Sequence, residues 1–219
     1  KYYSLNKSTY INLRWIAIIG QFITINAVYF ILNFKFPFLL TNLVIFFGIF
    51  SNLYLIYIYQ KTQLSDASAF FFLMIDILQL SFLIYLTGGT VNPFVVFLII
   101  PSVFSSSNLS FKTSILLASI TTLSIIFLTF YHLDLPSPIN NHFHVSPYYI
   151  YSIPIALIIA LIFLNYFAIN FGAESRLRKE ALNKMEEIMA KEHELLSLGG
   201  QSAAAAHSLG TPFSTIKII

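Results

Sequence analysis

His207 is the residue in this chain best suited to forming and breaking a covalent bond. It lies in the C-terminal stretch LGGQSAAAAHSLGTPFSTIKII, preceded by four alanines and followed by Ser208, Leu209, Gly210, Thr211, Pro212 and Phe213. The small residues before it leave the imidazole addressable. A neutral imidazole, with an unperturbed pKa of about 6.5, is a competent nucleophile near neutral pH. Stepping alternately four and three residues from Ala181 visits Met185, Ile188, Glu192, Leu195, Gly199, Ser202, Ala206, Leu209, Phe213 and Ile216. That mostly apolar or small series is the 3.5-residue seam of a helix packed on a partner helix. His207 falls one residue past a seam position, at the interface edge, where an incoming phosphoryl donor can reach it. Pro212 removes a backbone donor and loosens or kinks the helix beyond it. The plainer alternative is a satisfied histidine in a coiled-coil tail.

Two other places carry polar chemistry in apolar surroundings. Thr87, Gly88, Gly89, Thr90, Val91, Asn92, Pro93 and Phe94 form a turn-rich string. Read as a hairpin, Gly88 and Gly89 end one helix, Asn92 N-caps the next, and Pro93 takes its first position, where the missing N–H costs nothing. Asp76 is the one acid inside an apolar run, with Gln79 one helical turn on. An acid at membrane depth faces a bundle interior or a functional cavity. It is either protonated and bonded to Gln79 or a neighbouring Tyr, Asn or Ser, or coupled to a proton-dependent function.

The elements holding these residues are membrane spans. The chain has 219 residues, 57% hydrophobic and 10% charged, with a mean hydropathy of +0.77. Such a composition excludes a water-soluble core over residues 1–172. Apolar segments run roughly Trp15 to Leu32, Pro37 to Tyr59, Ala67 to Leu86, Pro93 to Phe104, Ile115 to Tyr131 and Tyr148 to Phe171. A span needs about 20 residues, so the fourth is short. Pro101 and the run Ser105, Ser106, Ser107, Asn108 predict that its far end is kinked or lined by protein. The expected fold is all-α: an integral membrane six-helix bundle over 1–172, a charged helical connector over 173–199 with Glu180 and Lys184 spaced as an i,i+4 pair, and a cytoplasmic coiled-coil or dimerisation helix over 200–219. Lys1, Lys7, Arg14, Lys61 and Lys112 fall on one side of the bundle and Lys35 on the other, with Arg176, Arg178 and Lys179 following the last span. The positive-inside rule places both termini in the cytoplasm.

No cysteine is present, which removes disulfides and thiolate metal sites from this chain. No basic stripe points to nucleic acid. His132, Asp134, His142 and His144 share the loop before the sixth span, but Pro136, Pro138 and Pro147 break it up, and no closed metal spacing results, so a surface loop is expected and no metal site. The chain begins at Lys1 without a methionine or a cleavable signal pattern and reads as a fragment or a processed chain.

Gly200 to Ile216, GQSAAAAHSLGTPFSTI, resembles the phospho-acceptor box of sensor histidine kinases. Its alanine run with H-x-L-G-T-P is most similar to the RegB/PrrB redox-sensing family. Gly88 to Phe94, GGTVNPF, resembles that family's quinone-binding heptapeptide G-G-x-x-N-P-F, also between the third and fourth spans, and Asp76 with Gln79 resembles its D-x-x-Q. The resemblance implies that His207 is autophosphorylated in a homodimer, using ATP and Mg bound by a catalytic domain outside this chain. Ser208 stands where the family usually carries an acid, while Thr211 and Pro212 match. It further implies that a ubiquinone-like quinone is read at Gly88, Gly89, Asn92, Pro93 and Phe94, with Asp76 and Gln79 coupled to it, and that a response regulator receives the phosphoryl group. A quinone head group is a flat ring with two carbonyl acceptors. The Asn92 amide and glycine N–H groups are its expected donors and Phe94 its face. Two rival classes are a quinone-binding electron-transfer subunit, which predicts histidines inside spans, and a small transporter, which predicts repeats and paired intramembrane charges.

Overall fold

The computed structural model describes residues 4–137 and 146–216, without the side chains of Ser4, Ala203 and residues 206–216. It divides into two units, residues 1–172 and residues 173–219. In chain order the elements are β1 (Ser4–Asn6), α1 (Lys7–Phe30), α2 (Phe38–Tyr57), β2 (Gln63–Ser65), α3 (Asp66–Tyr85), a 3₁₀ turn (Gly89–Val91), a longer 3₁₀ segment (Pro93–Ile99), α4 (Ile100–Asn108), α5 (Phe111–Phe130) and α6 (Pro147–Ile216). Among the described residues, five helices are long and apolar enough to cross a membrane. The remaining crossing, fourth in chain order, is composite. A 3₁₀ helix rises about 2.0 Å per residue and an α-helix about 1.5 Å. Pro93–Ile99 followed by Ile100–Asn108 therefore reaches about 27 Å, close to the hydrocarbon thickness of about 30 Å. The segment that looks too short in sequence crosses because its first half is wound tighter and rises faster.

Four of the crossings begin at a side-chain cap. Asn6 accepts from Thr9 N–H, Ser65 from Ser68 N–H, Asn92 from Phe94 N–H and Ser110 from Thr113 N–H. Caps satisfy backbone donors that have no helical partner. Inside the helices, hydroxyls bond back to carbonyls four residues earlier, as Ser81 does to Ile77, Thr121 to Leu117 and Thr129 to Ile125. In a medium without water, that is where such groups are satisfied.

One end of the bundle is tied by four features. β1 pairs antiparallel with β2, matching Leu5 to Leu64. Lys7 Nζ donates to the carbonyls of Ile56 and Tyr59, closing the C-terminus of α2. The Asp66 carboxylate accepts from Ser110 N–H and Ser110 Oγ at 2.8 Å, and from Thr113 Oγ1, tying the start of α3 to the start of α5. The C-terminal turn of α4 meets α6, where a Cβ built on Gly172 would stand 2.3 Å from the Ser107 carbonyl oxygen. At the opposite end Lys35 N–H donates to Ser137 O, and Leu133 N–H to Tyr85 O. Between the ends lie fully buried Ile45, Leu55, Leu73, Ile77, Leu98, Leu117, Ile125 and Leu161. Phe46, Phe47, Phe50, Leu123, Phe130 and Phe163 point outward as a lipid face requires.

The second unit is helix alone, and every residue from Leu177 to Ser202 is exposed. Its charges pair along the helix as Glu174–Arg178 at 2.5 Å and Glu187–Lys191 at 2.7 Å. Removing the Asp66 carboxylate by Asp66→Ala strands three donors at the α3–α5 junction. It is expected to cost about 2 kcal/mol, read as a lowered unfolding midpoint of the purified protein in detergent.

Candidate functional site

The turn between α3 and the composite crossing is built to close on itself. Gly88 and Gly89 have φ of +111° and +59°, in the left-handed region. Space adds a second constraint. A Cβ on Gly89 would stand 2.4 Å from the His132 ring, and one on Gly88 2.9 Å from the Leu135 backbone. The two glycines let the segment after α5 lie directly on the turn. Asn92 then acts as a clasp. Its Oδ1 accepts from Phe94 N–H at 2.9 Å, and its Nδ2 donates to both Thr87 O and Thr87 Oγ1 at 2.8 Å. Pro93 opens the 3₁₀ segment.

This arrangement bears on the five residues expected to meet a quinone. The Asn92 amide is buried, with both donors committed within the turn, and Gly88 and Gly89 are buried beneath His132 and Leu135. What the motif presents outward is Pro93 and Phe94. Phe94 is 40% exposed and stacks on Phe97 with centroids 5.9 Å apart. Thr90 Oγ1 is fully buried without a partner among the described residues. The motif therefore presents a flat apolar ring face, whereas the side-chain amide donors expected from sequence are already used by the fold.

Asp76 lies midway along α3. The Arg14 guanidinium donates to its Oδ1, from Nε at 2.9 Å and from Nη2 at 2.8 Å, and Tyr10 donates its hydroxyl to Oδ2 at 2.5 Å. Arg14 also reaches Ser51 Oγ at 3.0 Å and sits 5.5 Å from the Tyr10 ring centre. Two expectations are corrected here. Arg14 does not lie outside the first span. The Asn6 cap starts α1 at Lys7, so Arg14 is two turns inside, and it is 5% exposed. It is a structural counter-charge, and the positive-inside reading rests on the lysines together with Arg176 and Arg178. Asp76 does not bond Gln79, whose Nε2 donates instead to Gln21 Oε1 at 2.9 Å. The tyrosine partner is as expected. An intramembrane charge pair is thus present, so its supposed absence no longer argues against a transporter. Two buried polar atoms beside this pair, Arg14 Nη1 and Asn52 Oδ1, have no partner among the described residues.

At the far end, the backbone of His207, Ser208 and Thr211 lies in α6, and their side chains lie outside the described residues. The segment 138–145, holding His142 and His144, is also outside them. His132 and Asp134 are described, and no metal-binding cluster of three ligands occurs among the described residues. Sequence reasoning missed the Arg14–Asp76 pair, although the Asn6 cap was its signal. It also missed Asn165, a buried amide in the sixth span whose Oδ1 accepts from Ser102 and Ser106 of α4.

The six crossings match the model of the PilS-like transmembrane domain over residues 9–182. The chain belongs to that family. Over 212 residues, 96% of its length, it is 31% identical to the sensor histidine kinase RegB of Cereibacter sphaeroides, and equally so to the RegB of a second strain of that organism. The match covers 46% of each relative, so the chain spans about half their length. No solved structure matches. These similarities make the chain a RegB-type membrane sensor part, multi-pass in a bacterial inner membrane, and they answer the transporter alternative that the charge pair had reopened.

Taking one partner from a buried ion pair leaves the other uncompensated, at a cost of about 3 kcal/mol or more. Arg14→Leu is expected to destabilise the membrane domain by that order, and the double variant Arg14→Leu/Asp76→Leu by clearly less. Unfolding midpoints in detergent for the four-member cycle check this.

Proposed function

We propose that the chain is the input half of a two-component sensor kinase, reading the redox state of membrane quinone and setting phosphorylation of His207. The observation that carries this reading is that one helix, Pro147–Ile216, contains both the last span and the H-S-L-G-T-P box. An event in the bundle then has a covalent route to the phospho-acceptor. In the longer protein, a catalytic domain binding ATP with Mg transfers the γ-phosphoryl group to a ring nitrogen of His207, and ADP leaves. The phosphoryl group then passes to an aspartate of a response regulator. Both termini are cytoplasmic: Lys7, Lys61 and Lys112 gather at the end tied by β1, β2 and Asp66, and Lys35 is at the other.

A homodimer is the natural occupant of the second unit. Met185, Ile188 and Leu195 of the predicted seam are each more than half exposed, as are Leu177, Leu182 and Leu196. A helix with such a stripe needs a partner helix.

Quinone is read at the outer turn. Its ring meets the Phe94 and Phe97 faces from the lipid, while Gly88, Gly89, Asn92 and Pro93 hold the turn in shape. Thr90 Oγ1, buried and without a hydrogen-bond partner among the described residues, lies four positions before Phe94. The Tyr10, Arg14, Asp76 cluster and the Gln21–Gln79 bond fix α1 against α3. Quinone changes the output only by the difference in its affinity for two bundle states.

The test is binding of ubiquinone to the protein in lipid nanodiscs, alongside the unfolding midpoint. Phe94→Ala is expected to weaken binding about ten-fold with the midpoint kept, since loss of one buried aromatic contact amounts to about 1 to 2 kcal/mol. Asn92→Ala is expected to lower the midpoint as well. His207→Gln in the full-length kinase abolishes phosphate incorporation. Unchanged binding in Phe94→Ala, or none in the parent, removes quinone from the reading and leaves GGTVNPF as a turn.

A further inference from the structure

α4 is the short element between the outer turn and the cytoplasmic end, and its polar face is turned to α6. Ser102 and Ser106, one helical turn apart, are both buried and both donate to Asn165 Oδ1, at 3.3 and 2.5 Å. Asn165 is itself buried, and its Nδ2 donates to Leu161 O at 2.8 Å, which fixes the amide orientation. Two turns on, Gly172 lets the α6 backbone close on Ser107. On its other side α4 reaches the ion-pair cluster, where Phe104 stacks on Tyr10 with centroids 6.4 Å apart and planes within 14°. One nine-residue helix thus continues the 3₁₀ segment that leaves the turn, leans on the Arg14–Asp76 cluster through an aromatic pair, and grips α6 by hydrogen bonds.

We propose that Asn165 is a positioning residue: its paired bonds from Ser102 and Ser106 form a latch that holds α6 in one register against α4, and through α6 set the presentation of His207. The geometry suits a two-state contact. Ser102 and Ser106 lie along the α4 axis, so a small slide of α6 exchanges a doubly bonded amide for a singly bonded one. Shifts of about 1 to 2 Å are the usual size of helix movements that carry signals. The absence of competing water makes each bond count for register more than for adhesion. Gly172 keeps the path clear, because a side chain there would hold the helices apart. The link from register to His207 rests on the kinase reading above, whereas the latch itself does not.

The experiment separates the two. The cysteine-free sequence allows nitroxides at Ser119→Cys on α5 and Tyr166→Cys on α6, both exposed positions, in the full-length protein in liposomes diluted with unlabelled copies, any cysteine outside residues 1–219 having been replaced. Asn165→Leu and Ser102→Ala/Ser106→Ala are each expected to move or broaden the spin–spin distance by about 2 Å. The triple variant should add nothing further, because all three break one contact. Autophosphorylation of unlabelled variants is expected to change about five-fold or more, the low end of coupling between sites, and in the same direction for all three. The unfolding midpoint should fall only slightly, and Asn165→Ser with Ser106→Asn, which exchanges the partners, should restore the parent distance and rate. An unchanged distance in Asn165→Leu, or additive effects in the triple variant, overturns the latch. Shifted distances with unchanged autophosphorylation overturn its role in output. A parent kinase that ignores ubiquinone and ubiquinol alike removes the quinone reading and leaves the latch decided by distance.

Discussion

Arg14 and Asp76 can lie within the spans only because they neutralise each other, and much of the bundle is arranged to keep them together. The arginine uses Nε and Nη2 on one carboxylate oxygen and Tyr10 occupies the other, so three side chains from α1 and α3 share one charge balance. Ser51 brings in α2. The strand pair β1 and β2 and the Lys7 cap hold the start of α1 beside the α2–α3 connection, which fixes the depth at which Arg14 enters. Were α1 displaced by a turn, guanidinium and carboxylate would both meet lipid alone. Burial of apolar surface draws helices together in water but contributes little between spans in lipid. Polar contacts of this kind therefore specify which helices are neighbours.

The same scarcity of partners shapes the outer turn. A chain leaving α3 has to reverse within a few residues and re-enter the membrane, with no water inside to satisfy its backbone. Asn92 solves this alone, closing the end of α3 through Thr87 and opening the next helix through Phe94. Gly88 and Gly89 admit His132 and Leu135 to cover the result. Most of a motif that looks like a ligand site is thus needed to make the turn. Phe94 is the residue that the turn does not require, which is why the quinone reading rests on it.

Much of this was legible in the sequence. Hydropathy placed all six crossings, and capping chemistry placed Asn92 and Pro93 correctly. The hidden parts have physical reasons. Arg14 looked like a flanking charge because hydropathy averages over a window and loses a single paired cation. Only the Asn6 cap dates the helix start earlier. Gln79 was assigned to Asp76 by the one-turn spacing, but neighbours on one helix compete with neighbours on another, and Gln21 of α1 prevails. The fourth crossing looked too short because a length rule assumes 1.5 Å per residue, and a 3₁₀ stretch breaks that assumption. Asn165 and its serines are scattered over 63 positions and share no local pattern.

A membrane sensor needs a part that can rest in two places, and a bundle held only by apolar packing offers a continuum of small slides. Hydrogen bonds differ, being short-ranged and directional. The composite crossing combines both properties. Its first half is a 3₁₀ segment, a winding with poorer hydrogen-bond geometry than an α-helix. Its second half is an α-helix anchored by hydroxyls to Asn165. Under the proposed latch, a displacement at the outer turn is therefore taken up by the 3₁₀ half and passed to the bonded half, which meets α6 directly. Under the proposed reading, that division of labour lets a ligand at one face bias a helix at the other without dismantling the core between them.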